Sequence, residues 1–145
     1  MGISETLKLL IIDDEIAIHR FVRATVGRVG SNALSAWTAT EGLRLVEGQN
    51  PDVVLVDLHL PDIDNMEVIR AIRQRSSATV IVMSNRWTEE DREAALFAGA
   101  DEYLLKPFFK EELIDRIDNR YRSAKHSLRE LNLGTRSWQT TSFVG

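Results

Sequence analysis

The stretch Leu7–Glu15, LKLLIIDDE, joins a run of apolar residues directly to three acidic side chains. A nearly continuous apolar run of this length is typical of a strand that is buried on both faces of a parallel sheet. Clustered carboxylates at the end of such a strand are unfavourable, because like charges repel and burial disfavours the charged form. The cluster therefore indicates a functional site at the carboxyl end of this strand.

Four more apolar runs predict strands, which gives Leu7–Ile12, Asn32–Trp37, Asp52–Asp57, Thr79–Ser84 and Glu102–Lys106. Helical spacing between these runs predicts five helices. The helix boundaries that can be assigned are an end near Gly27, a cap at Thr40, a start after Thr88, an end at Gly99 and a start near Lys110. Strands that alternate with helices predict a parallel sheet. We expect a single flavodoxin-like, doubly wound α/β domain with helices on both faces.

The bulk composition excludes several classes of protein. The chain has 145 residues, no cysteine and a formal net charge of -4, so disulfide and thiolate chemistry are excluded and nucleic-acid binding is not favoured. No apolar run approaches the roughly 18 residues of a membrane span, and the amino terminus does not resemble a signal peptide. We therefore predict a cytoplasmic protein without a membrane partner.

Polar side chains stand at the ends of four predicted strands: Asp13 and Asp14, then Asp57, Ser84 and Lys106. Ligands of open parallel sheets bind outside the carboxyl ends of the strands, so these residues should converge. Carboxylates without a nearby histidine pair or cysteine favour Mg²⁺. A lysine and a hydroxyl beside the metal would hold a phosphoryl group, and an aspartate can form an acyl phosphate. The pattern indicates metal-assisted phosphoryl transfer onto an aspartate.

Four segments carry a resemblance to a known family: IIDDE, VDLHLPDIDN, VIVMS and YLLKPF. Their order and spacing resemble the receiver domain of two-component response regulators. On this basis residues 1–122 form the receiver domain, and residues 123–145 form a helical extension and tail. The resemblance implies a phosphorylation-activated switch that receives its phosphoryl group from a sensor histidine kinase. It is not a turnover enzyme, since it catalyses only its own phosphorylation and slow dephosphorylation.

The resemblance assigns the acidic residues to two roles. Asp57 corresponds to the phosphoacceptor. Asp13 and Asp14 correspond to the acids that hold Mg²⁺ together with Asp57 and the backbone carbonyl of His59. Glu15 is expected to lie in the acidic first turn of the following helix, and not among the metal ligands.

The same resemblance assigns the remaining polar residues of the site. Ser84 corresponds to the switch hydroxyl that moves to bond the phosphoryl group, and Tyr103 to the aromatic residue that rotates inward with it. Lys106 corresponds to the lysine that contacts the acceptor, and the bond from Lys106 to Pro107 is expected to be cis.

Some positions depart from the usual pattern of the family or have no assigned role. His59, Asn85 and Arg86 flank the acceptor and the switch hydroxyl. They either tune the lifetime of the phosphoryl group or are ordinary solvated loop residues. His19, in the first helix, is expected to be a surface residue.

The segment DREAALFAGADEYLLKPF, followed by EELIDR, resembles the winged-helix (OmpR/PhoB-like) subfamily of DNA-binding regulators. That subfamily dimerises through its fourth helix, fifth strand and fifth helix, using ion pairs between subunits. Two of the matching pairs are Arg92 with Glu112 and Glu102 with Arg116. A third pair is broken, because Phe97 and Asp118 stand where opposite charges are usual. We expect a homodimer on phosphorylation.

An apolar stripe of heptad-like spacing continues through the last helix: Ile114, Ile117, Tyr121, Ala124, Leu128 and Leu131. Its later half predicts a partner helix or a lead into another domain. DNA would be bound only through an output domain that is not in these residues. The chain is then a fragment of a longer regulator, and a stand-alone receiver is the alternative.

Two other classes of function compete with the phosphorylated switch. A pseudo-receiver would be a docking module without phosphotransfer, and the complete set of strand-end residues argues against it. A small phosphatase with an aspartyl nucleophile usually has a second acid two residues after the nucleophile. His59 occupies that place here.

Overall fold

The computed structural model describes residues 7–27, 32–86 and 88–118 of the chain. The strands are β1 (Lys8–Ile12), β2 (Asn32–Ala36), β3 (Val53–Asp57), β4 (Thr79–Ser84) and β5 (Glu102–Leu105). The helices are α1 (Ile16–Gly27), α2 (Ala39–Gln49), α3 (Asn65–Arg75) and α4 (Glu89–Ala98), followed by α5, which is described over residues 110–118.

The five strands form one parallel sheet in the order β2-β1-β3-β4-β5. Alternate residues of the strands pack into two separate cores. Leu10 and Ile12 of β1 pack into the core that α2, α3 and α4 cover, whereas Leu9 and Ile11 pack into the core under α1 and α5. Both faces of the sheet are therefore covered, which confirms the predicted doubly wound fold.

The predicted strands agree with the observed ones to within one residue at each end. The predicted helix end at Gly99 is correct, as is the cap of α4, where the Thr88 hydroxyl accepts a hydrogen bond from the Asp91 N–H. Helix α1 is described as far as Gly27, where the described range stops. Glu15 was placed in the first turn of α1, but the helix begins one residue later, at Ile16.

The predicted cap of α2 at Thr40 is wrong. Thr38 is the capping residue, because its hydroxyl accepts the Glu41 N–H at 3.1 Å, while the Glu41 carboxylate accepts the Trp37 N–H at 2.9 Å. The Thr40 hydroxyl is turned to a different partner and donates to Asp62 at 3.1 Å. The local signal was Glu41, which stands three residues after Thr38 at the spacing of a capping box and favours Thr38 over Thr40.

Arg73 of α3 joins the end of α4 to the start of β4. Its guanidinium donates to the carbonyls of Gly99 at 2.8 Å and Ala78 at 2.6 Å, and it pairs with Asp101 at 2.6 Å. Asp101 also accepts the Val80 N–H at 2.8 Å. One half-buried side chain thus connects three segments on one side of the sheet.

The predicted stripe beyond Ile117 and the predicted extension over residues 123–145 lie outside the described residues. In the part of the chain that the structure describes, no helix is both long enough and apolar enough to cross a membrane.

Candidate functional site

The register of two neighbouring strands brings the acidic residues together. Strands β1 and β3 are adjacent and parallel, and Ile12 is paired with Val56. The next residue along each strand is Asp13 or Asp57, so these two carboxylates lie side by side at the carboxyl edge of the sheet. Asp13 is 0% exposed and Asp57 is 6% exposed, whereas Asp14 is open to solvent.

Asp13, Asp14 and Asp57 each offer a carboxylate oxygen, and these oxygens all lie within 4.8 Å of one another. Such an arrangement of hard oxygen donors, partly buried and partly open to water, suits Mg²⁺, which keeps several of its own waters when it binds to protein. The three predicted metal acids are therefore brought together. This cluster consists of side-chain carboxylates alone, and the role of the His59 backbone carbonyl as a ligand stays a prediction.

Lys106 follows β5 and reaches across the sheet edge into the acidic cluster. Its Nζ lies 2.8 Å from Asp13 Oδ2, 3.2 Å from Asp57 Oδ1 and 3.5 Å from Glu15 Oε1. The position of the Lys106 backbone is fixed beside β4, because the Lys106 N–H donates to the Ser84 carbonyl at 2.7 Å. The peptide bond from Lys106 to Pro107 is cis, as predicted.

Burial and the contact with Lys106 act in opposite directions on the pKa of Asp13. Burial raises the pKa of Asp13, and its hydrogen bond and attraction to Lys106 do not fully offset the rise. Burial alone would lower the pKa of Lys106, but the hydrogen bonds and charges of Asp13 and Asp57 outweigh burial, so the pKa of Lys106 is raised. The lysine is therefore held charged, while the buried carboxylate lacks part of the positive charge it needs. A divalent cation would supply that charge.

Ser84 and Tyr103 share a hydrogen-bond acceptor. The Ser84 hydroxyl donates to the Arg86 carbonyl at 3.1 Å and accepts the Arg86 N–H at 3.0 Å. The Tyr103 hydroxyl donates to the same Arg86 carbonyl at 2.7 Å, and its ring is buried in the core. The two predicted switch residues are thus joined through one backbone carbonyl.

His59 contacts the site through its side chain. The exposed imidazole places Nε2 3.2 Å from the Ser84 hydroxyl oxygen. Ser84 therefore has a third polar neighbour in addition to both backbone groups of Arg86. Asn85 is exposed at the rim. Of the three residues that flank the site, His59 and Arg86 have direct contacts to the switch hydroxyl.

The expectation that His19 is a surface residue is wrong. Its side chain is 2% exposed and contacts the backbone of Asp13 and the side chain of Ser35. The signal was present in the sequence, since His19 lies three residues before Val22 and seven before Val26, on the face of α1 that is buried. The polarity of histidine outweighed this spacing in the prediction.

Asp62, in the segment between β3 and α3, was also missed. Its carboxylate accepts the N–H groups of Ala39 and Thr40 at 3.0 and 3.1 Å, at the first turn of α2. Burial alone would raise the pKa of Asp62, but these hydrogen bonds and that of the Thr40 hydroxyl together lower it. Asp62 therefore ties the loop that follows Asp57 to the first turn of α2. No spacing rule predicts that contact.

The predicted dimer-face residues lie on α4, β5 and α5, at one edge of the sheet, and are engaged within the chain. Arg92 Nη1 lies 3.5 Å from Glu89 Oε2. Arg116 donates to the Tyr103 carbonyl at 2.9 Å, and Glu112 accepts the Phe109 N–H at 2.9 Å. Glu102 is half-buried on β5 and also has a partner. On the same edge Phe97 is 92% exposed.

Comparisons with known proteins agree with this geometry. The family profile described as the response regulator receiver domain matches residues 9–118. The KDP operon transcriptional regulatory protein KdpE of Escherichia coli (strain K12) is 46% identical over 109 residues, which are 75% of this chain and 48% of that protein. The transcriptional regulatory protein KdpE of Mycobacterium tuberculosis (strain ATCC 25618 / H37Rv) is 39% identical over the same shares of the two chains. The chain thus spans about half the length of these curated relatives.

Solved structures show the same fold. A CheY-like response regulator receiver domain protein from Methanospirillum hungatei JF-1 has a TM-score of 0.78 and 28% identity, with 83% of this chain and 98% of the other covered. The receiver domain of Francisella response regulator 1452 has a TM-score of 0.76 and 30% identity, with coverage of 82% and 99%.

Proposed function

The chain belongs to the family of response regulator receiver domains, and from that premise we propose that it is a signalling switch activated by phosphorylation of Asp57. The donor is a phosphohistidine of a sensor histidine kinase. The observation that carries the proposal is the setting of Asp57. This side chain is almost fully buried, lies 3.2 Å from Lys106 and shares its pocket with two more carboxylates.

In the proposed reaction a carboxylate oxygen of Asp57 attacks the phosphorus in line with the leaving imidazole. The oxygen–phosphorus bond forms as the phosphorus–nitrogen bond breaks, and the electron pair of that bond leaves with the imidazole. The product is an acyl phosphate. Bound Mg²⁺, held by Asp13, Asp14 and Asp57, would supply positive charge to the phosphoryl oxygens.

Lys106 has two tasks in this proposal. Before the reaction its ammonium group holds Asp57 and Asp13 in place through contacts of 3.2 and 2.8 Å. Afterwards the ammonium group turns to a phosphoryl oxygen, where a charge-assisted hydrogen bond is stronger than a neutral one. Asp13 and Asp57 raise the pKa of Lys106 against the effect of burial, so the ammonium group is protonated at neutral pH before the reaction.

Ser84 and Tyr103 would pass the change to the surface. The Ser84 hydroxyl would break its hydrogen bond to the Arg86 carbonyl and donate to the phosphoryl group instead. That carbonyl is also the acceptor for Tyr103, so its movement with the loop draws the tyrosine along. Phosphorylation adds about -1.5 to -2 charges, enough to bias an element that has two arrangements.

We further propose that the α4-β5-α5 edge then forms a homodimer. Arg92, Glu112 and Arg116 would exchange their present partners for ones on the second subunit. Surface pairs contribute only about 0.2–1 kcal/mol each, so the exposed Phe97 would add apolar contact where the third ion pair is broken. Transcriptional output would require a DNA-binding domain outside these residues, in keeping with the relatives named as transcriptional regulators.

A phosphorylation assay tests the proposal. The protein is incubated with acetyl phosphate and Mg²⁺ and its mass is measured, with Asp57→Asn as the matched control. We expect one phosphoryl group on the wild-type chain and none on the variant. An unmodified wild-type chain would favour the pseudo-receiver, and steady release of phosphate from esters would favour the phosphatase.

A further inference from the structure

His19 is a buried polar group that the proposed phosphotransfer does not use. It projects from α1 toward the turn that carries the metal acids. Its Nε2 lies 2.7 Å from the Asp13 carbonyl oxygen and its Nδ1 lies 2.8 Å from the Ser35 hydroxyl oxygen. Arg23 donates to that same hydroxyl oxygen at 2.7 Å. Four residues from α1, β2 and the β1–α1 turn are therefore linked in a row.

The hydrogen bonds in this row all run in the same direction, from donor to acceptor, toward Asp13. A carbonyl oxygen can only accept, so Nε2 of His19 must carry the hydrogen. In the neutral imidazole Nδ1 is then the acceptor, and it receives the Ser35 hydroxyl hydrogen. The Ser35 oxygen in turn accepts from the Arg23 guanidinium. Each bond polarises the next, and the series ends on the Asp13 carbonyl.

The imidazole is also held on one face. Trp37 stacks on His19 with ring centroids 3.8 Å apart and an angle of 28° between the planes. The indole is 40% exposed and shields the histidine from solvent. With partners at both nitrogens and an aromatic ring on one face, the imidazole has little freedom to rotate.

The Asp13 carbonyl belongs to the peptide unit that joins the two predicted metal acids. The Asp13 N–H is fixed separately, by donation to the Ala36 carbonyl at 3.1 Å. On the other side of the residue, His19 fixes the peptide plane between Asp13 and Asp14. The orientation of that plane sets the direction in which the Asp14 carboxylate leaves the backbone relative to Asp13.

We propose that His19 is a positioning residue for the cation site. It orients the Asp13–Asp14 peptide so that both carboxylates face one divalent ion together with Asp57, and Ser35 and Arg23 orient its imidazole. This inference rests on the proposed metal site. Outer partners that orient metal ligands typically contribute about 10–100-fold to affinity. Because His19 contacts Asp13 through the backbone carbonyl and not through the carboxylate, we expect an effect at the lower end of that range.

The test is the Mg²⁺ dissociation constant, measured by calorimetry on three variants of the full chain. His19→Leu keeps the apolar volume and removes the donor, and we expect Mg²⁺ binding to weaken about tenfold. His19→Gln places an amide N–H near the Nε2 position and should recover most of the affinity. Ser35→Ala leaves the donor but releases the ring, so its effect should fall between the two. Urea unfolding in EDTA confirms that each variant is folded.

A second readout separates positioning from a purely structural role. We expect His19→Leu to raise the Mg²⁺ concentration that gives half-maximal phosphorylation of Asp57 by acetyl phosphate, and to leave the rate at saturating Mg²⁺ unchanged. Wild-type affinity in His19→Leu would overturn the inference, and so would equal losses in the Leu and Gln variants. If His19→Leu does not fold, unchanged affinity in both Ser35→Ala and Arg23→Met would overturn it. Failure of the wild-type chain to bind Mg²⁺ would instead refute the proposed metal site itself.

Discussion

Replacing Asp13 by asparagine should stabilise the protein in the absence of metal. The buried Asp13 carboxylate lies within 4.8 Å of a second buried carboxylate and 2.8 Å from Lys106. At an effective dielectric constant of about 20, the two carboxylates repel each other by about 3–4 kcal/mol, and Asp13 and Lys106 attract each other by about 6 kcal/mol. The exposed Asp14 adds repulsion that water screens to about 1 kcal/mol, so a net attraction of about 1–2 kcal/mol remains. Burying the Asp13 charge costs several kcal/mol, so roughly 1–2 kcal/mol of that cost stays uncompensated after this attraction.

The assay is urea unfolding at neutral pH, with either EDTA or Mg²⁺. In EDTA we expect Asp13→Asn to exceed the wild-type free energy of unfolding by about 1–2 kcal/mol. Mg²⁺ at ten times its dissociation constant should stabilise the wild-type chain by about 1.4 kcal/mol and the variant hardly at all. Asp14→Asn is the matched control: as the exposed member of the cluster it should lose the Mg²⁺ effect without the gain in EDTA.

The pH dependence of this difference has a definite sign. The pKa of Asp13 is raised in the folded state above its ordinary value of 3.8, so the folded chain takes up a proton at a higher pH than the unfolded chain does. As the pH falls through that raised pKa toward 3.8, the wild-type chain in EDTA gains stability relative to Asp13→Asn and the difference closes. Two results would refute this reasoning: equal stability of Asp13→Asn and Asp14→Asn in EDTA, or full stabilisation of Asp13→Asn by Mg²⁺.

Three further predictions concern other parts of the molecule. Arg73→Met should lower the free energy of unfolding by about 2–4 kcal/mol, because it leaves the partly buried carbonyls of Gly99 and Ala78 without their donor. Arg70→Met on the same helix should change the free energy of unfolding by less than about 0.5 kcal/mol. Similar urea midpoints for the two variants would count against the Arg73 connection. Thr88→Ala removes the cap of α4 and should lower the free energy of unfolding by about 1 kcal/mol, and an unchanged midpoint would contradict this. His59→Ala removes a neighbour of the switch hydroxyl, so the half-life of the phosphoryl group, followed by mass, should change by about two- to tenfold. Asn85→Ala, at the rim of the site, is the control. If the half-life of the phosphoryl group is unchanged in both variants, His59 and Asn85 are ordinary solvated loop residues.

The sequence was sufficient for the sheet because the signal for buried strands is local. Apolar runs such as Val53–Asp57 need no knowledge of their neighbours, and the rule for parallel sheets then brings Asp13 and Asp57 to the same edge. The cap at Thr38 also had a local signal in Glu41, three residues later, whereas the contact of Thr40 with Asp62 comes from another loop and had none.

His19 shows a different limit. Its spacing on α1 indicated the buried face, but its polarity indicated solvent, and the contacts that satisfy both nitrogens come from β2 and the β1–α1 turn. Pattern analysis counts apolar residues, so it passes over a polar residue even where the helical spacing places that residue on the buried face. The partners that satisfy such a residue are found only when the elements are assembled in three dimensions.

The pairing of Ile12 with Val56 has a consequence for how this protein can change in length. A substitution within β1 or β3 alters packing but leaves Asp13 and Asp57 next to each other. A deletion or insertion of one residue within either strand would turn one carboxylate toward the opposite face of the sheet, because side chains alternate along a strand. Loops such as the one that contains Asp62 have no such two-residue period. The lengths of the central strands are therefore constrained more strictly than their composition. Insertions and deletions are tolerated better in the loops.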